Sequence, residues 1–225
     1  MKVISFNGSP RVGGNTEILL DEAEKAVQAA GHDVKRFNLN KLQIKPCQDC
    51  GGCEKTGVCV IKDDMAGIYQ AIRGADRIIV ASPVFFFGLS AQTKMVIDRS
   101  QAFWCEKYLM KQPLAEGPNG RKGLLLLVGG MKKDIGIQCS EATAKAFFRT
   151  VSVPKHETLG FLEVDQKGAI LQHETALGWS KRRSSRASPV SLLTKLTRVQ
   201  SSWAKGLSSL CSSLHSPGAA GSQNA

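Results

Sequence analysis

The feature that most constrains the fold is a regular alternation of short apolar segments with longer segments of helical periodicity. Residues 78–80 and 124–128 are apolar without interruption, as in strands whose two faces are both covered. Residues 16–30 instead place their apolar side chains at helical spacing, and Gly31 follows where a helix would end. This alternation predicts an α/β fold, with a parallel sheet and helices on both of its faces.

Nine elements are predicted from these patterns. The predicted strands comprise residues 2–7, 32–39, 76–81, 123–128 and 156–164. The predicted helices comprise residues 16–30, 65–74, 90–104 and 141–149. Asp63 and Asp64 stand where they would cap the second helix. Because ligands of such sheets bind beyond the carboxyl ends of the strands, the residues that follow each strand are the candidates for function.

The loop after the first strand predicts a phosphate site. Its sequence, from Gly8 to Thr16, is Gly-Ser-Pro-Arg-Val-Gly-Gly-Asn-Thr, followed by a helix. Glycines let backbone N–H groups turn inward, and a helix N-terminus adds positive potential. The spacing fits neither a P-loop nor the dinucleotide fingerprint, and it suits a single phosphate. Hydrogen bonds and charge would come from Ser9, Arg11, Asn15 and Thr16. From this loop alone, an ordinary turn before a capped helix is an equal alternative.

Two further loops follow the third and fourth strands. The first contains Pro83, Val84, three consecutive phenylalanines at 85–87, and Gly88. Aromatic side chains in such a loop suit contact with a flat ring, and they equally suit an oligomer interface. The second loop contains Gly129 and Gly130, which would allow close approach of the backbone to a ligand.

These motifs, together with Lys94 and the Asp98-Arg99 pair, resemble the flavodoxin-like NADPH-dependent FMN reductases over roughly residues 1–178. The resemblance implies a doubly wound sheet of five parallel strands and bound FMN. The phosphate would be held by Ser9, Arg11, Asn15 and Thr16. The isoalloxazine would lie against Pro83, Val84, Phe85, Phe86, Gly88, Gly129 and Gly130. The resemblance also implies NAD(P)H as co-substrate and a homodimer or homotetramer, and we expect no essential acid–base residue. Asp98 and Arg99 are expected to pair with each other.

The loop 44–62 carries a compact cysteine motif, C-x2-C-x2-C-x5-C. Without an export signal, closely spaced thiols favour metal binding or redox chemistry over structural disulfides. The spacing fits a cubane [4Fe–4S] cluster better than zinc, and it resembles that of the iron–sulfur flavoproteins, a branch of the same family. The ligands would be Cys47, Cys50, Cys53 and Cys59. The main alternative is a cluster-free reductase that keeps the cysteines as a redox or structural loop.

Three more cysteines stand apart from this motif, namely Cys105, Cys139 and Cys211. We expect them to be small buried or incidental thiols. The predicted function is that of an oxidoreductase that passes electrons between a reduced donor, FMN and an acceptor. The donor would be NAD(P)H or a ferredoxin-like protein, and the acceptor a small molecule or a protein. A cluster-free quinone or flavin reductase and a non-enzymatic electron carrier are the alternatives.

The formal net charge of +11, from 30 Lys and Arg against 19 Asp and Glu, first suggests a nucleic-acid binder. However, no acidic residue follows Glu174, and seven basic residues lie beyond it. Residues 1–174 are therefore only mildly basic, and we expect no nucleic-acid partner. No apolar run is long enough to span a membrane. The first strand begins almost at Met1, so we expect no signal peptide and a cytoplasmic location.

The Ser-rich basic tail, residues 179–225, differs abruptly in composition from the rest of the chain. It could be a basic appendage that contacts a membrane or an acidic partner, or residues 190–214 could form a weak helix. The third interpretation is a frameshift that replaced the native last helix. The sudden loss of acidic residues within an element favours this third interpretation, and we expect the tail to be disordered or non-native.

Overall fold

The computed structural model describes residues 1–117 and 119–173. The predictions for residues 174–178, the tail 179–225 and Cys211 therefore lie outside the described residues. Among the described residues, a central sheet contains five parallel strands, β1 Lys2–Asn7, β2 Asp33–Asn38, β3 Arg77–Phe85, β5 Lys122–Val128 and β6 Lys155–Phe161. A short strand, β4 Gly88–Leu89, pairs with β3 alone. The parallel strands lie in the order β2-β1-β3-β5-β6. This is the flavodoxin-like order, and the predicted α/β fold is confirmed.

In the part of the chain that the structure describes, five α-helices connect the strands. They are α1 Asn15–Ala29, α2 Met65–Gly74, α3 Ala91–Arg99, α4 Gln101–Trp104 and α5 Ile135–Thr150. A π-helical turn, Cys105–Leu109, follows α4, and short 3₁₀ turns lie at Leu39–Lys41 and Ala169–Gln172. The first strand pairs with two partners in register, with Ile4 opposite Lys35 on β2 and Ile78 on β3.

The core consists of two apolar layers, one on each face of the sheet. Alternate strand residues such as Ile78 and Leu125 face the layer that contains α2, α3 and α5. Their neighbours Ile79 and Leu124 face the layer that contains α1. Both sets are completely or almost completely buried, so the uninterrupted apolar runs follow from burial on two faces.

Apart from β3, three elements differ clearly from their predicted bounds. Helix α5 begins six residues before the predicted start because Gly136 packs directly against Val84, which outweighs the weak helix propensity of this segment. Strand β6 ends at Phe161, and Glu163 has a positive φ of 58° that bends the chain away. The predicted helix 90–104 is divided at Ser100, whose hydroxyl bonds to the Val96 carbonyl oxygen.

The largest difference is at the end of β3, where the predicted loop is a β-hairpin. Strand β3 continues to Phe85 and pairs with the two-residue antiparallel strand β4, Gly88–Leu89. Phe86 and Phe87 form the turn, with φ values of 47° and 63°. Positive φ at both central residues is the geometry of a type I′ turn, which sequences usually build with Asn and Gly.

Candidate functional site

The loop after β1 forms the first part of the candidate site. The Asn7 side chain accepts a hydrogen bond from the Ser9 N–H at 3.1 Å and donates to the Asn38 side chain at 3.2 Å. Gly13 has a positive φ of 61°, and Gly14 is the N-cap residue of α1. Gly14 has no side chain to cap the helix, which leaves the N–H groups of the first turn to an anion. The Gly13 N–H of the loop instead donates to the Glu17 carboxylate at 2.6 Å.

The four predicted phosphate-binding residues lie around this loop. Ser9 and Thr16 are buried, and the Ser9 hydroxyl accepts a hydrogen bond from the Arg11 N–H at 3.2 Å. The exposed Arg11 guanidinium reaches the Asp165 carbonyl oxygen at 3.3 Å. The Asn15 side chain donates to the Gln166 carbonyl oxygen at 2.8 Å, and its oxygen accepts from the Gly168 N–H. Asn15 therefore holds the segment 166–170 against the loop.

The hairpin is tied to the phosphate loop by hydroxyl groups that the sequence did not single out. The Ser90 hydroxyl donates to the Gly8 carbonyl oxygen at 2.6 Å and lies 2.9 Å from the Thr93 hydroxyl. The Ser90 N–H donates to the Ser82 hydroxyl at 3.0 Å. Ser90 also caps α3 by accepting from the Thr93 N–H. Thus one serine fixes the hairpin, the start of α3 and the loop after β1 relative to each other.

The phenylalanines of the hairpin are largely exposed. Phe86 is fully exposed, and Phe85 and Phe87 are about half exposed, at 49% and 45%. Two residues in the left-handed region cost about 1–2 kcal/mol each, so the turn is strained. Exposed aromatic groups on a strained turn at the carboxyl edge of the sheet are suited to bind a ring or a second chain.

The loop after β5 lies directly beside this hairpin. A Cβ added to Gly129 would stand 3.4 Å from Val84 Cβ, so the two loops are in van der Waals contact. Gly129 also bridges to β6, donating to the Phe161 carbonyl oxygen and accepting from the Val164 N–H. A Cβ on Gly130 would stand 3.2 Å from Asp165 Cβ. The three loops predicted to form one site therefore lie together at one edge of the sheet.

The four cysteines of the loop 44–62 line one cavity, together with Arg99 and Gln101. Cys50 is exposed, and Cys47, Cys53 and Cys59 are partly buried. Among the residues that the structure describes, no three His, Cys, Asp or Glu side chains are close enough to hold a single metal ion. The four cysteines and Arg99 nevertheless all line this one cavity.

A buried ion pair anchors this loop. Arg99 and Asp63 are 2.7 Å apart, with side chains only 1% and 6% exposed. The expected Asp98–Arg99 pair is wrong, because Asp98 points away and pairs with Lys94 at 2.8 Å. Removing either partner of the buried pair would leave an unpaired charge, at a cost of about 3–5 kcal/mol.

The environment keeps both partners of this pair charged. Burial alone would raise the pKa of the Asp63 carboxyl, but hydrogen bonds from Arg99 and from the N–H groups of Lys45 and Met65 hold it below its usual value. Burial alone would lower the pKa of Arg99, but the hydrogen bond to Asp63 and the negative charges nearby together outweigh it, so that the net shift is upward. The capping prediction is half right: Asp63 caps α2 through the Met65 N–H, whereas the Asp64 carboxylate accepts from the Gln43 N–H instead.

Cys105 is buried, as predicted, but it is not isolated. Its sulfur lies 3.6 Å from the sulfur of Cys53, across 52 residues of sequence. Burial and this contact raise the pKa of the Cys53 thiol to about 12. Cys139, in contrast, is exposed on α5. The sequence offered no signal that Cys105 would adjoin the motif, because the contact is made by tertiary packing.

The model of the family described as NADPH-dependent FMN reductase matches residues 1–157. An iron-sulfur flavoprotein of Methanocaldococcus jannaschii is 44% identical over 101 residues, which cover 45% of this chain and 52% of the relative. An iron-sulfur flavoprotein of Methanosarcina thermophila is 34% identical over 132 residues, which cover 59% of this chain and 65% of the relative. The chain thus spans about half to two thirds of the length of these relatives.

The fold is also similar to solved structures. An NAD(P)H:quinone oxidoreductase from Methanothermobacter marburgensis superposes with a TM-score of 0.54 at 14% identity, covering 73% of this chain and 83% of that one. At this identity the likeness concerns the fold alone. Within the described part of the chain, no helix combines the length and apolar character needed to cross a bilayer.

Proposed function

Because the chain belongs to the NADPH-dependent FMN reductase family, we propose that it is an FMN-binding oxidoreductase that transfers electrons from NAD(P)H to an acceptor. The observation that carries the proposal is the convergence of three loops at the carboxyl edge of the sheet. There, an uncapped helix N-terminus, an aromatic hairpin and a glycine pair adjoin one another. FMN supplies hydride and one-electron chemistry when bound.

The residues of the chain would bind and orient the cofactor. The first turn of α1 and the hydroxyls of Ser9 and Thr16 would hold the phosphate, with charge from Arg11. Asn15, whose side chain is engaged with residues 166–170, would act by holding the loop in place. The ring would lie against the hairpin from Pro83 to Gly88 and the backbone of Gly129 and Gly130.

For the cysteine loop, we propose a [4Fe–4S] cluster held by Cys47, Cys50, Cys53 and Cys59. Four thiols facing one cavity are the donor set that such a cluster uses. A zinc ion draws its four sulfurs to about 2.3 Å. A cluster places its own iron and sulfide between the sulfurs, so it would need a wider set of thiols than a single zinc ion does. The relatives described above are named iron-sulfur flavoproteins.

The fully exposed Phe86 supports a second element of the proposal, a homodimer or homotetramer in which the hairpin contacts another copy. A ferredoxin-like donor and a small-molecule or protein acceptor complete the proposed electron path. A cluster-free quinone or flavin reductase, in which the four cysteines form a redox or structural loop, is the second candidate.

The test is anaerobic purification of the full chain, followed by measurement of FMN, iron and sulfide per chain. We expect one FMN with about four iron and four sulfide. NADPH oxidation would then be followed with ferredoxin, quinone or free flavin as the added partner. Thr16→Val should weaken FMN binding, whereas Lys25→Ala, on the exposed surface of the same helix, should not. Protein without flavin would refute the proposal, and flavin without iron would favour the cluster-free alternative.

A further inference from the structure

Arg99 is placed so that it closes the loop that carries the four cysteines. Its guanidinium donates to the Lys45 carbonyl oxygen at 2.8 Å and to the Ile61 carbonyl oxygen at 3.3 Å. These two residues stand just outside the first and last cysteines of the motif, and they are joined through one side chain on α3. The bond to Asp63, beyond Ile61, fixes the guanidinium itself.

The neighbours of Arg99 hold it rigidly. The Tyr69 hydroxyl donates to the Arg99 carbonyl oxygen at 2.6 Å, which joins α2 to the end of α3. The Asp63 carboxylate also accepts from the Lys45 N–H at 2.9 Å, so that both ends of the loop meet the same ion pair. The guanidinium is therefore fixed before any metal binds, as preorganised ligand shells require.

One N–H of this guanidinium has no hydrogen-bond acceptor among the described residues. Arg99 Nε is fully buried and has no hydrogen-bond partner, and the side chain as a whole is only 1% exposed. Arg99 also lines the cavity of the four cysteines, among them Cys59. A buried N–H without an acceptor is costly, so an acceptor inside this cavity is expected.

We propose that Arg99 is the positioning residue of the cysteine site. Its hydrogen bonds hold the two ends of the loop 44–62 together, and it donates its Nε–H to a sulfur of the bound cluster. This inference rests on the cluster in the proposed function. A cation and a hydrogen bond next to the sulfurs stabilise the reduced, more negative form of a cluster. Arg99 therefore raises the reduction potential of the site in addition to shaping it.

The role of Arg99 in holding the cysteine loop closed is tested first, in the metal-free full chain with FMN bound. Iodoacetamide labelling, followed by peptide mass spectrometry, gives the alkylation rate of each cysteine. Arg99→Lys keeps the positive charge but loses the planar guanidinium, which bonds to both ends of the loop. Cys53 and Cys59 should therefore react about tenfold faster with iodoacetamide as the loop opens. The exposed Cys139 is the internal standard and should react at an unchanged rate.

The matched control is Arg121→Lys. Arg121 is also a buried arginine, bonded to the carbonyl oxygens of Ala115, Val151 and Arg73, and it lies away from the cysteine cavity. This control should leave the labelling of Cys53 unchanged. If Arg99→Lys does not fold, the charge-neutral pair Asp63→Asn with Arg99→Gln avoids an unpaired buried carboxylate, and FMN content reports on the fold.

The second test uses protein reconstituted with iron and sulfide under anaerobic conditions. The Arg99→Lys variant should retain less iron than the wild type. The reduction potential of its cluster should be lower by about 59 mV, which is about tenfold in the equilibrium constant for one-electron reduction. FMN content and flavin potential should not change. Unchanged labelling, iron content and cluster potential would overturn the role of Arg99 while leaving the proposed function intact. A wild-type protein that binds FMN and takes up no iron would instead refute the cluster, and with it the Nε–H donation.

Discussion

Gly8 is the position where the smallest substitution should have the largest effect on the candidate flavin site. A Cβ at Gly8 would overlap the Thr93 hydroxyl and stand 3.0 Å from the Ala81 carbonyl oxygen and 3.1 Å from the Ser90 hydroxyl. Two of these three neighbours hold the start of α3, and the third belongs to the backbone of the central strand. Gly8→Ala must therefore push α3 and the phosphate loop apart.

The cost follows from the contacts that would be lost. Overpacking of a buried site costs about 1–3 kcal/mol. The hydrogen bond from the Ser90 hydroxyl to the Gly8 carbonyl oxygen and the one between the Ser90 and Thr93 hydroxyls contribute about 1 kcal/mol each when intact. We expect Gly8→Ala to lower the free energy of unfolding by about 2–4 kcal/mol. Because the loop that holds the phosphate moves with Gly8, FMN affinity should fall about tenfold or more.

Urea unfolding and flavin-fluorescence titration measure the two effects. Gly67→Ala is the matched control, because a Cβ there meets nothing within 4 Å and a helical Gly→Ala change stabilises by about 0.5–1 kcal/mol. Thr93→Ala removes the overlapping hydroxyl, so the double variant with Gly8→Ala should be more stable than the sum of the single effects predicts. Strict additivity in this cycle, or unchanged FMN affinity of Gly8→Ala, would refute the reasoning.

Three further outcomes are expected. Replacing Phe86 by Asn and Phe87 by Gly gives the turn its preferred residues, so the free energy of unfolding should rise by about 1–2 kcal/mol. The same replacement removes the exposed rings, so it should weaken ring binding or self-association. Lower stability in urea would contradict the assigned strain. Burial lowers the pKa of His156, so the free energy of unfolding should fall as the pH drops below about 6.5, by at most about 1.4 kcal/mol at pH 5.5. Urea titrations at pH 7.5 and 5.5 measure this loss, and His156→Phe should remove it. Cys105→Ala should keep the iron content of reconstituted protein whereas Cys53→Ala should lose iron, and equal loss would make Cys105 a ligand.

The sheet and its order could be predicted because they follow from local patterns. Uninterrupted apolar runs such as 124–128 require cover on both faces, and alternation with helices then leaves few topologies. The loops after β1, β3 and β5 were placed correctly at one edge for the same reason. Their detailed shape was not predictable, because the Phe86–Phe87 turn adopts a conformation that its own residues disfavour. Tertiary contacts stabilise it instead, among them the packing of Gly136 against Val84 and the hydrogen bonds of Ser90.

Pairings between distant side chains were the least predictable part of the candidate site. Asp98 and Arg99 are adjacent in sequence, but neighbours on a helix point in different directions, and each pairs with a partner elsewhere. Cys105 likewise adjoins Cys53 only because α4 and the π-helical turn pack under the cysteine loop. Spacing within one segment predicted which cysteines form one motif, and these four line one cavity, whereas Arg99 and Cys105 beside them come from other segments.

Helix α3 joins the two parts of the candidate site. At its start, the Ser90 hydroxyl donates a hydrogen bond to the Gly8 carbonyl oxygen. At its end, the Arg99 guanidinium donates to the Lys45 carbonyl oxygen of the cysteine loop. The nine residues of α3 span roughly 14 Å. The proposed flavin and cluster sites are therefore held at the two ends of one rigid element, although their motifs are far apart in sequence. A substitution that bends α3 should change both cofactor contents together, whereas one on the exposed face of α5 should change neither.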